Sequence, residues 1–157
     1  MPAQLEATLE AQELINWVNK VNKKTQDAVH IRDKYAALLS AITFGDIIEH
    51  FAQEQGPDGK WAPRSKGYMQ YLNKIGRGGN KILQFSGRLR QSFDKGGDPA
   101  ETGHKVKGSD IGWYNRVEYA WWHDEGAPVT RPFMWLSDKA LEKMTDQTLH
   151  FILDEGL

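Results

Sequence analysis

The stretch IGWYNRVEYAWWH, residues 111–123, decides the fold class of this chain. It is rich in aromatic and β-branched residues, which favour strands. We predict two strands within it, Ile111–Tyr114 and Val117–His123, and we expect Gly126-Ala127-Pro128 to end the strand region. The long periodic segments on either side predict helices, so helices come first and strands follow, which indicates an α+β fold.

The N-terminal third of the chain predicts two amphipathic helices, near residues 4–23 and 27–54. Its apolar residues recur at helical spacing, as they do at Leu14, Trp17, Val18 and Val21. Residues 65–81 hold one short helix, and Ser137 is a suitable N-cap for a helix that continues to the C-terminal end.

The middle of the chain predicts little regular structure. Ile82–Phe93 indicates a turn and then a strand through Leu89 and Phe93. Asp94–Asp110 contains four glycines, one proline and no aromatic residue. Such a segment buries little apolar surface, so we expect a long loop that is mobile in the free subunit and ordered in an assembly.

These segments together predict one domain, residues 1–157. Residues 1–54 form its helical part, with two N-terminal helices. Residues 55–157 form a small, mostly antiparallel sheet with the long mobile loop, followed by a C-terminal helix. A chain of 157 residues buries enough surface to fold without a metal or a disulfide.

The amino-acid composition excludes several classes of protein. The chain has no cysteine, which excludes a disulfide scaffold, a thiol nucleophile and cysteine-ligated zinc. No apolar run approaches the roughly 20 residues of a membrane helix, so we expect no membrane partner. The N-terminus lacks the basic start and apolar core of a secretory signal, which predicts synthesis in the cytoplasm.

The net charge of −1 hides an uneven distribution. From Lys60 to Arg90 there are eight basic residues and no acidic one, whereas residues 118–157 hold eight acidic and three basic residues. Folding either gathers these charges into a basic and an acidic face or mixes them.

The single tight cluster of titratable groups is His123-Asp124-Glu125. Neighbours on a strand point to opposite faces, so the three side chains do not converge on one ion. We predict no catalytic residue, no metal site and no cofactor, and we interpret His123 as a hydrogen-bonding residue in a turn. A small enzyme that uses His123 as a base is the alternative.

Trp121 and Trp122 are adjacent in the sequence. On a strand one ring faces the core and the other faces outward. The outward ring is either covered by a loop or is an interface anchor, because tryptophan is enriched at interface hot spots.

Five motifs follow one another in a recognisable order: PDGKWAP (57–63), ILQFSGRLRQS (82–92), IG (111–112), YA (119–120) with His123 and Gly126 after it, and RPFMWLS (131–137). This order resembles the phage virion morphogenesis family, the tail completion proteins of contractile- and long-tailed phages and prophages. The resemblance covers roughly residues 30–153. The motif positions that we expect to be structural are Pro57, Gly59, Trp61, Gly87, Arg88, Leu89, Tyr119, His123, Gly126, Arg131, Pro132 and Phe133.

The chain departs from the family pattern at two places. Arg64 stands where the family usually has leucine after its Trp-x-Pro element. Trp121 and Trp122 stand where it usually has small or aliphatic residues.

Physical roles follow for several motif positions. Gly87 supplies a positive-φ turn into a strand, and Pro132 sets an extended entry. Phe133 and Trp135 are core anchors, and Arg131 reaches a helix C-terminus or a carboxylate.

The resemblance implies a non-enzymatic structural protein of a virion, located in the tail or neck and made in the host cytoplasm. Such a protein forms a ring at the tail end or the head–tail junction. The implied partners are copies of itself, tail tube or head–tail connector proteins, and DNA that passes through the ring.

The basic segment 60–90 leaves two interpretations open. Arg77 and Lys81, with Trp121 and Trp122, are candidate subunit-interface residues, since attraction between basic and acidic faces steers the contact of identical subunits. Alternatively the segment binds nucleic acid, with its cations interleaved among Trp61, Tyr68, Tyr71 and Phe85.

Overall fold

The computed structural model describes residues 11–95, 97–108, 110–125 and 129–155. The chain divides into two compact units, residues 1–35 and 36–157. The described part of the first unit is helical, and the elements that follow α1 lie in the second unit. The single-domain organisation stays a prediction.

Helix α1, Ala11–Gln53, is continuous, so the prediction of two N-terminal helices is wrong. The expected break near Lys24-Thr25-Gln26 contains neither glycine nor proline, and nothing there interrupts the helical hydrogen bonds. Gly45 causes no break either, and a Cβ at this position would meet open space.

A tight hairpin follows α1. Strands β1, Gln55–Gly56, and β2, Gly59–Lys60, pair antiparallel around Pro57-Asp58. Glu54 takes a left-handed conformation, φ 54°, as residues just after a helix often do. The amide of Trp61 then donates to the Glu54 carbonyl at 2.8 Å, which closes the turn.

Two further helices lie in the segment that follows. Helix α2, Lys66–Lys74, confirms the predicted short helix, and the Ser65 hydroxyl accepts the Tyr68 amide at its start. Helix α3, Arg88–Gln91, replaces the predicted strand through Leu89 and Phe93. Both residues are buried with Ser92 between them, and this spacing of three and four positions is helical rather than alternating.

The expected loop at Asp94–Asp110 contains a strand. Strand β3, Thr102–Lys107, pairs antiparallel with β4, Asp110–Asn115, in a register that runs from Thr102↔Asn115 to Lys107↔Asp110. The strand at Ile111–Tyr114 is thereby confirmed, and the long loop is wrong for residues 102–107. Backbone pairing with β4 orders β3 although β3 has few apolar side chains.

Polar side chains hold this hairpin to α1. The Ser40 hydroxyl donates to the Ala36 carbonyl at 2.7 Å and accepts from Trp113 Nε1 at 3.0 Å. His104 Nδ1 lies 2.9 Å from the same oxygen. Since the hydroxyl proton goes to Ala36, His104 must donate through Nδ1, and all the hydrogen-bonding positions of Ser40 are then used.

The predicted strand Val117–His123 is wrong, because the sheet ends at Asn115. The Asn115 side chain accepts the Val117 amide at 2.9 Å and donates to Ser92 and Thr102. The amide of Ala120 bonds the Val117 carbonyl at 2.8 Å, and the short helix α4, Ala120–Asp124, begins there.

Helix α5, Asp138–Glu155, confirms the C-terminal helix. The Ser137 hydroxyl accepts the Ala140 amide at 3.2 Å, so Ser137 is its N-cap as predicted. Asp46 on α1 accepts both the hydroxyl and the amide of Ser137, at 2.6 and 2.8 Å, which fixes the start of α5 against α1.

The core lies under the C-terminal half of α1 and is largely aromatic. The Phe51 ring packs against Trp61, Phe93 and Phe133, with centroids 5.5, 6.3 and 5.3 Å away. The core members are Ile47, Phe51, Trp61, Leu89, Phe93, Val117, Ala120 and Phe133. Five helices and two two-stranded antiparallel sheets among the described residues confirm the α+β class.

Candidate assembly surface

The C-terminal end of α1 binds several side chains of the basic segment. Lys60 Nζ donates to the Gln53 carbonyl and Lys81 Nζ donates to the Ala52 carbonyl, each at 2.5 Å. The last carbonyls of a helix have no partner within the helix and carry partial negative charge. These two lysines therefore stabilise the end of α1, and Lys81 is not a free interface cation.

The arginines of the segment are also engaged. Arg64 donates to the carbonyls of Asn80 and Lys81, whereas Arg77 donates to the Phe85 carbonyl at 2.6 Å. The Arg77 guanidinium also lies 4.5 Å from the centroid of the Phe85 ring. These arginines hold the loop after α2 in place.

Most of the eight cations thus have intramolecular partners. Arg88 binds Glu101, whose hydrogen bond and charge raise the pKa of Arg88. Arg90 lies 3.8 Å from Asp94. In the part of the chain that the structure describes, the side chains of Lys66 and Lys74 on α2 bind no partner. The available basic surface is therefore smaller than the sequence predicts.

The two adjacent tryptophans lie on α4 and are both exposed. The exposed fractions of Trp121 and Trp122 are 56% and 51%, and their ring centroids are 4.5 Å apart. The expectation of one inward and one outward ring is wrong, because consecutive side chains on a helix lie only about 100° apart. Both rings are available to a partner.

A groove of ≈ 680 Å³ lies beside α2 and α4, and we call it the α2–α4 groove. Its apolar lining includes Tyr68, Phe85 and Val129, each more than a third exposed. The full lining is Pro63, Arg64, Ser65, Tyr68, Ile82, Leu83, Phe85, Ser86, Tyr119, His123, Val129 and Arg131. None of these described lining residues carries a carboxylate.

The groove is electrostatically positive. Burial lowers the pKa of Arg131, and the positive charge of Arg64 lowers it further. Burial also lowers the pKa of His123, with Arg131 as the second cause. Two arginines in one groove, without a carboxylate among its described lining residues, create a site that favours an anion.

One wall of the groove has a fixed conformation. Leu83 has φ 60°, which is rare for a leucine. The loop around it is held by the Ile82 amide, which donates to the Glu54 carboxylate, and by Gln84 Nε2, which donates to the Phe51 carbonyl at 2.9 Å. These bonds maintain a conformation that costs on the order of 1–3 kcal/mol.

The motif residues divide between the core and the groove. Leu89 and Phe133 are fully buried, and Trp61 Nε1 donates to the Pro132 carbonyl at 2.9 Å. Tyr119, His123 and Arg131 line the groove instead. The remaining positions are Pro57 and Gly59 in the first hairpin, Arg88 in the pair with Glu101, and Gly126, which lies outside the described residues.

Gly87 and Arg131 differ in part from the roles predicted for them. Gly87 has φ 79°, so its positive φ is confirmed, but it precedes α3 rather than a strand. The Arg131 side chain donates to the Ala62 carbonyl at 3.1 Å, which is neither a helix end nor a carboxylate. Its backbone amide bonds the His123 carbonyl at 2.6 Å, and this bond ties the RPF motif to α4.

Sequence reasoning missed the role of Asp124. One of its carboxylate oxygens accepts the amides of Phe133 and Met134, at 2.9 and 3.0 Å. The sequence places Asp124 in a titratable cluster, but its carboxylate holds the backbone of the extended segment that carries the core residue Phe133. The partners lie nine and ten positions away and carry no local signal.

Another missed pair is His50 and Trp135. The His50 ring stacks on Trp135 at 4.0 Å between centroids, and its Nδ1 bonds the Phe133 carbonyl at 3.1 Å. Trp135, expected as a core anchor, is half-buried and covers this histidine. His50 follows the helical spacing of α1, and nothing in the sequence indicates that it stacks on Trp135.

Within the described residues, no group of three or more His, Cys, Asp or Glu side chains is placed to hold a metal ion. No described helix has the length and apolarity that crossing a membrane requires.

The surface thus combines exposed tryptophans on α4, a positive apolar groove beside it, and family motifs that build both. The model of the phage virion morphogenesis family matches residues 9–149. No curated protein and no solved structure matches the chain. The matched span includes every motif quoted above, and it points to a structural part in particle assembly rather than to catalysis. The chain therefore belongs to the phage virion morphogenesis family.

Proposed function

We propose that this chain is a tail completion protein that forms a homo-oligomeric ring at the tail end or the head–tail junction. The ring closes the tail tube and docks it to the connector of the head. The observation that carries the proposal is the adjacent pair Trp121 and Trp122, each more than half exposed on α4.

Exposed tryptophans favour association because water solvates their rings poorly. Fully burying a large apolar side chain stabilises by about 1.5–3 kcal/mol, and half of the surface of each ring remains to be buried. Tryptophan is also the residue type most enriched at interface hot spots. The pair is therefore suited to be the centre of a subunit contact.

A ring of identical subunits needs two different surfaces on each subunit. Such heterologous contacts close into a ring when the rotation between subunits divides a full turn. The α4 tryptophans supply one apolar surface. Lys66 and Lys74 on α2 and the acidic residues of the C-terminal segment supply charges of opposite sign for steering.

Oligomeric state tests the proposal. We expect native mass spectrometry to find a closed oligomer for the wild type and mainly monomer for Trp121→Ala with Trp122→Ala. The matched control is Tyr71→Ala, an exposed aromatic residue on α2 that should leave the oligomer intact. A wild type that stays monomeric at every concentration would contradict the ring.

Phage production gives the second readout. A prophage that carries the double tryptophan variant should release tails that fail to join heads, as counted by electron microscopy, whereas Tyr71→Ala should give normal particles. Normal particles from the double variant would mean that the tryptophans do not serve assembly.

One observation favours a second function, contact with DNA. Tyr68 and Tyr71 are exposed on α2 with ring centroids 6.2 Å apart, and Lys66 and Lys74 on the same helix have no partner in the described chain. Aromatic rings flanked by cations suit nucleic-acid binding. Trp61 is buried and cannot stack on a base.

Charge reversal on α2 tests DNA contact. Lys66→Glu with Lys74→Glu should abolish salt-dependent DNA binding if α2 faces DNA and leave ring assembly intact. Reversal of Arg77 and Lys81 is less suitable, because both side chains bind backbone carbonyls and their loss would disturb the fold. A wild type that does not bind DNA at low salt excludes this function.

A further inference from the structure

Helix α5 carries an acidic and leucine-bearing stripe on its outer side. At about 100° per residue, four exposed residues fall on one line, opposite the side that buries Ala140 and Phe151. The stripe consists of Glu142, Asp146, Leu149 and Leu153. The exposed fractions of its two leucines are 57% and 77%.

The cations of α5 lie on a different side. Lys139 and Lys143 line a separate groove against α1, where Asp46 and Glu49 are also found. The stripe itself holds no cation, so it presents two carboxylates followed by two leucines.

The α2–α4 groove has the complementary properties. It presents Arg64 and Arg131 with no carboxylate among its described lining residues, and it exposes the apolar surfaces of Tyr68, Phe85 and Val129. An acidic ligand alone would leave that apolar lining in water, and an apolar ligand alone would leave the arginines without a counter-charge. A surface that is both acidic and apolar complements the groove.

We propose that the α2–α4 groove of one subunit receives the α5 stripe of a second copy of this chain. This rests on the proposed ring, and it identifies the two surfaces that meet there. Leu149 and Leu153 lie on the apolar lining, and the carboxylates of Glu142 and Asp146 face Arg64 and Arg131.

The contact is heterologous, as a ring requires, because groove and stripe are different parts of the same chain. Two leucines alone do not make the roughly 1,000 Å² of a stable interface. Helix α4 provides the rest, since Tyr119 and His123 at one side of it line the groove while Trp121 and Trp122 stay exposed.

Engineered cysteines test the contact directly, because the native chain has none. One protein carries Leu149→Cys and a second carries Ser86→Cys, a groove residue. After mixing and oxidation, we expect a covalent dimer that peptide mapping assigns to positions 86 and 149. The matched control is Leu141→Cys, an exposed leucine of α5 outside the stripe, which should give no such dimer.

Assembly of stripe variants is the second test. Leu149→Gln with Leu153→Gln should raise the subunit concentration for half-assembly about tenfold or more, whereas Leu141→Gln should not change it. Both leucines are largely exposed, so unfolding does not confound the result, and an unchanged thermal transition checks this.

The outcomes separate the two proposals. If the wild type forms rings but no 86–149 cross-link appears and the stripe variants assemble normally, the groove contact is overturned and the ring stands. The groove then serves another virion protein. If the wild type forms no oligomer at any concentration, both proposals are overturned.

Discussion

The aromatic core and the β3–β4 hairpin are held in place by different means. Phe51, Phe93 and Phe133 pack ring against ring and are almost fully buried. The β3–β4 hairpin bonds α1 through the Ser40 hydroxyl, which contacts side chains from both strands. The core is stabilised by the burial of apolar surface, whereas the hairpin is stabilised by hydrogen bonds between a few polar groups.

This difference explains why apolar anchors such as Phe133 are visible in the sequence and strand β3 is not. Apolar spacing reveals a buried face, but hydrogen bonds between distant side chains leave no periodic trace. We therefore expect substitutions in the core to unfold the second unit, and substitutions in the polar network around Ser40 to open only the hairpin.

The largest effect is expected from Phe133→Ala. Removing a fully buried ring costs about 3–5 kcal/mol in the free energy of unfolding, which lowers Tm by on the order of 10 °C. Calorimetry measures this. Tyr71→Ala is the surface control and should change stability by less than about 0.5 kcal/mol. A similar small change for Phe133→Ala would contradict the assignment of the core.

Asp124→Ala comes next. It leaves the amides of Phe133 and Met134 without their acceptor, and we expect a loss of about 2–3 kcal/mol in denaturant unfolding. Asp124→Asn keeps an acceptor oxygen and should recover part of this loss. Equal losses in both variants would mean that the negative charge, rather than the acceptor, is what matters.

Ser40→Ala should have a smaller and local effect. It removes the partner of Trp113 Nε1 and His104, at a cost of about 1–2 kcal/mol. Hydrogen exchange should speed up in β3 and β4 and stay slow around Phe51. The control is Thr43→Val, because among the described residues the Thr43 hydroxyl bonds the Leu39 carbonyl on its own helix and no other group. Rapid exchange of β3 already in the wild type would restore the mobile-loop prediction.

The smallest expected effect concerns pH. Burial lowers the pKa of His123 in the folded chain below its ordinary value of 6.5. The unfolded chain therefore binds the proton more readily, and stability falls as the pH drops from about 6.5 toward the lowered folded pKa. His123→Gln should flatten this part of the stability–pH curve. An unchanged slope would assign the pH dependence to other groups.

Much of the architecture could be predicted from the sequence. The positions of Ser137, Gly87 and Phe133 follow from local rules for caps, turns and apolar anchors. Two errors lie where pairing or side-chain bonding decides the structure: the Asn115 side chain ends the sheet, and a partner strand orders β3. The Asn115 bonds to Ser92 and Thr102 and the pairing of β3 with β4 depend on residues that only folding brings together. The break expected in α1 is a third error, because the segment near Lys24-Thr25-Gln26 has no glycine or proline to cause it.

The candidate surface was predictable in part. The adjacent tryptophans stand out in the sequence, but their shared exposure follows from α4 being a helix. The count of cations was correct, although Lys60 and Lys81 are used to cap α1. The groove combines residues from four separate motifs, and no linear pattern shows that they meet.

The close approach of the Trp121 and Trp122 rings, 4.5 Å between centroids at an interplanar angle of 37°, has an optical consequence. Two indoles that are this near and inclined to each other couple their electronic transitions, which produces a circular dichroism couplet. Their emission in water is shifted to longer wavelength than that of a buried indole such as Trp61. The pair is thus an intrinsic chromophore at the proposed contact, and ring closure can be followed by light without attaching a label.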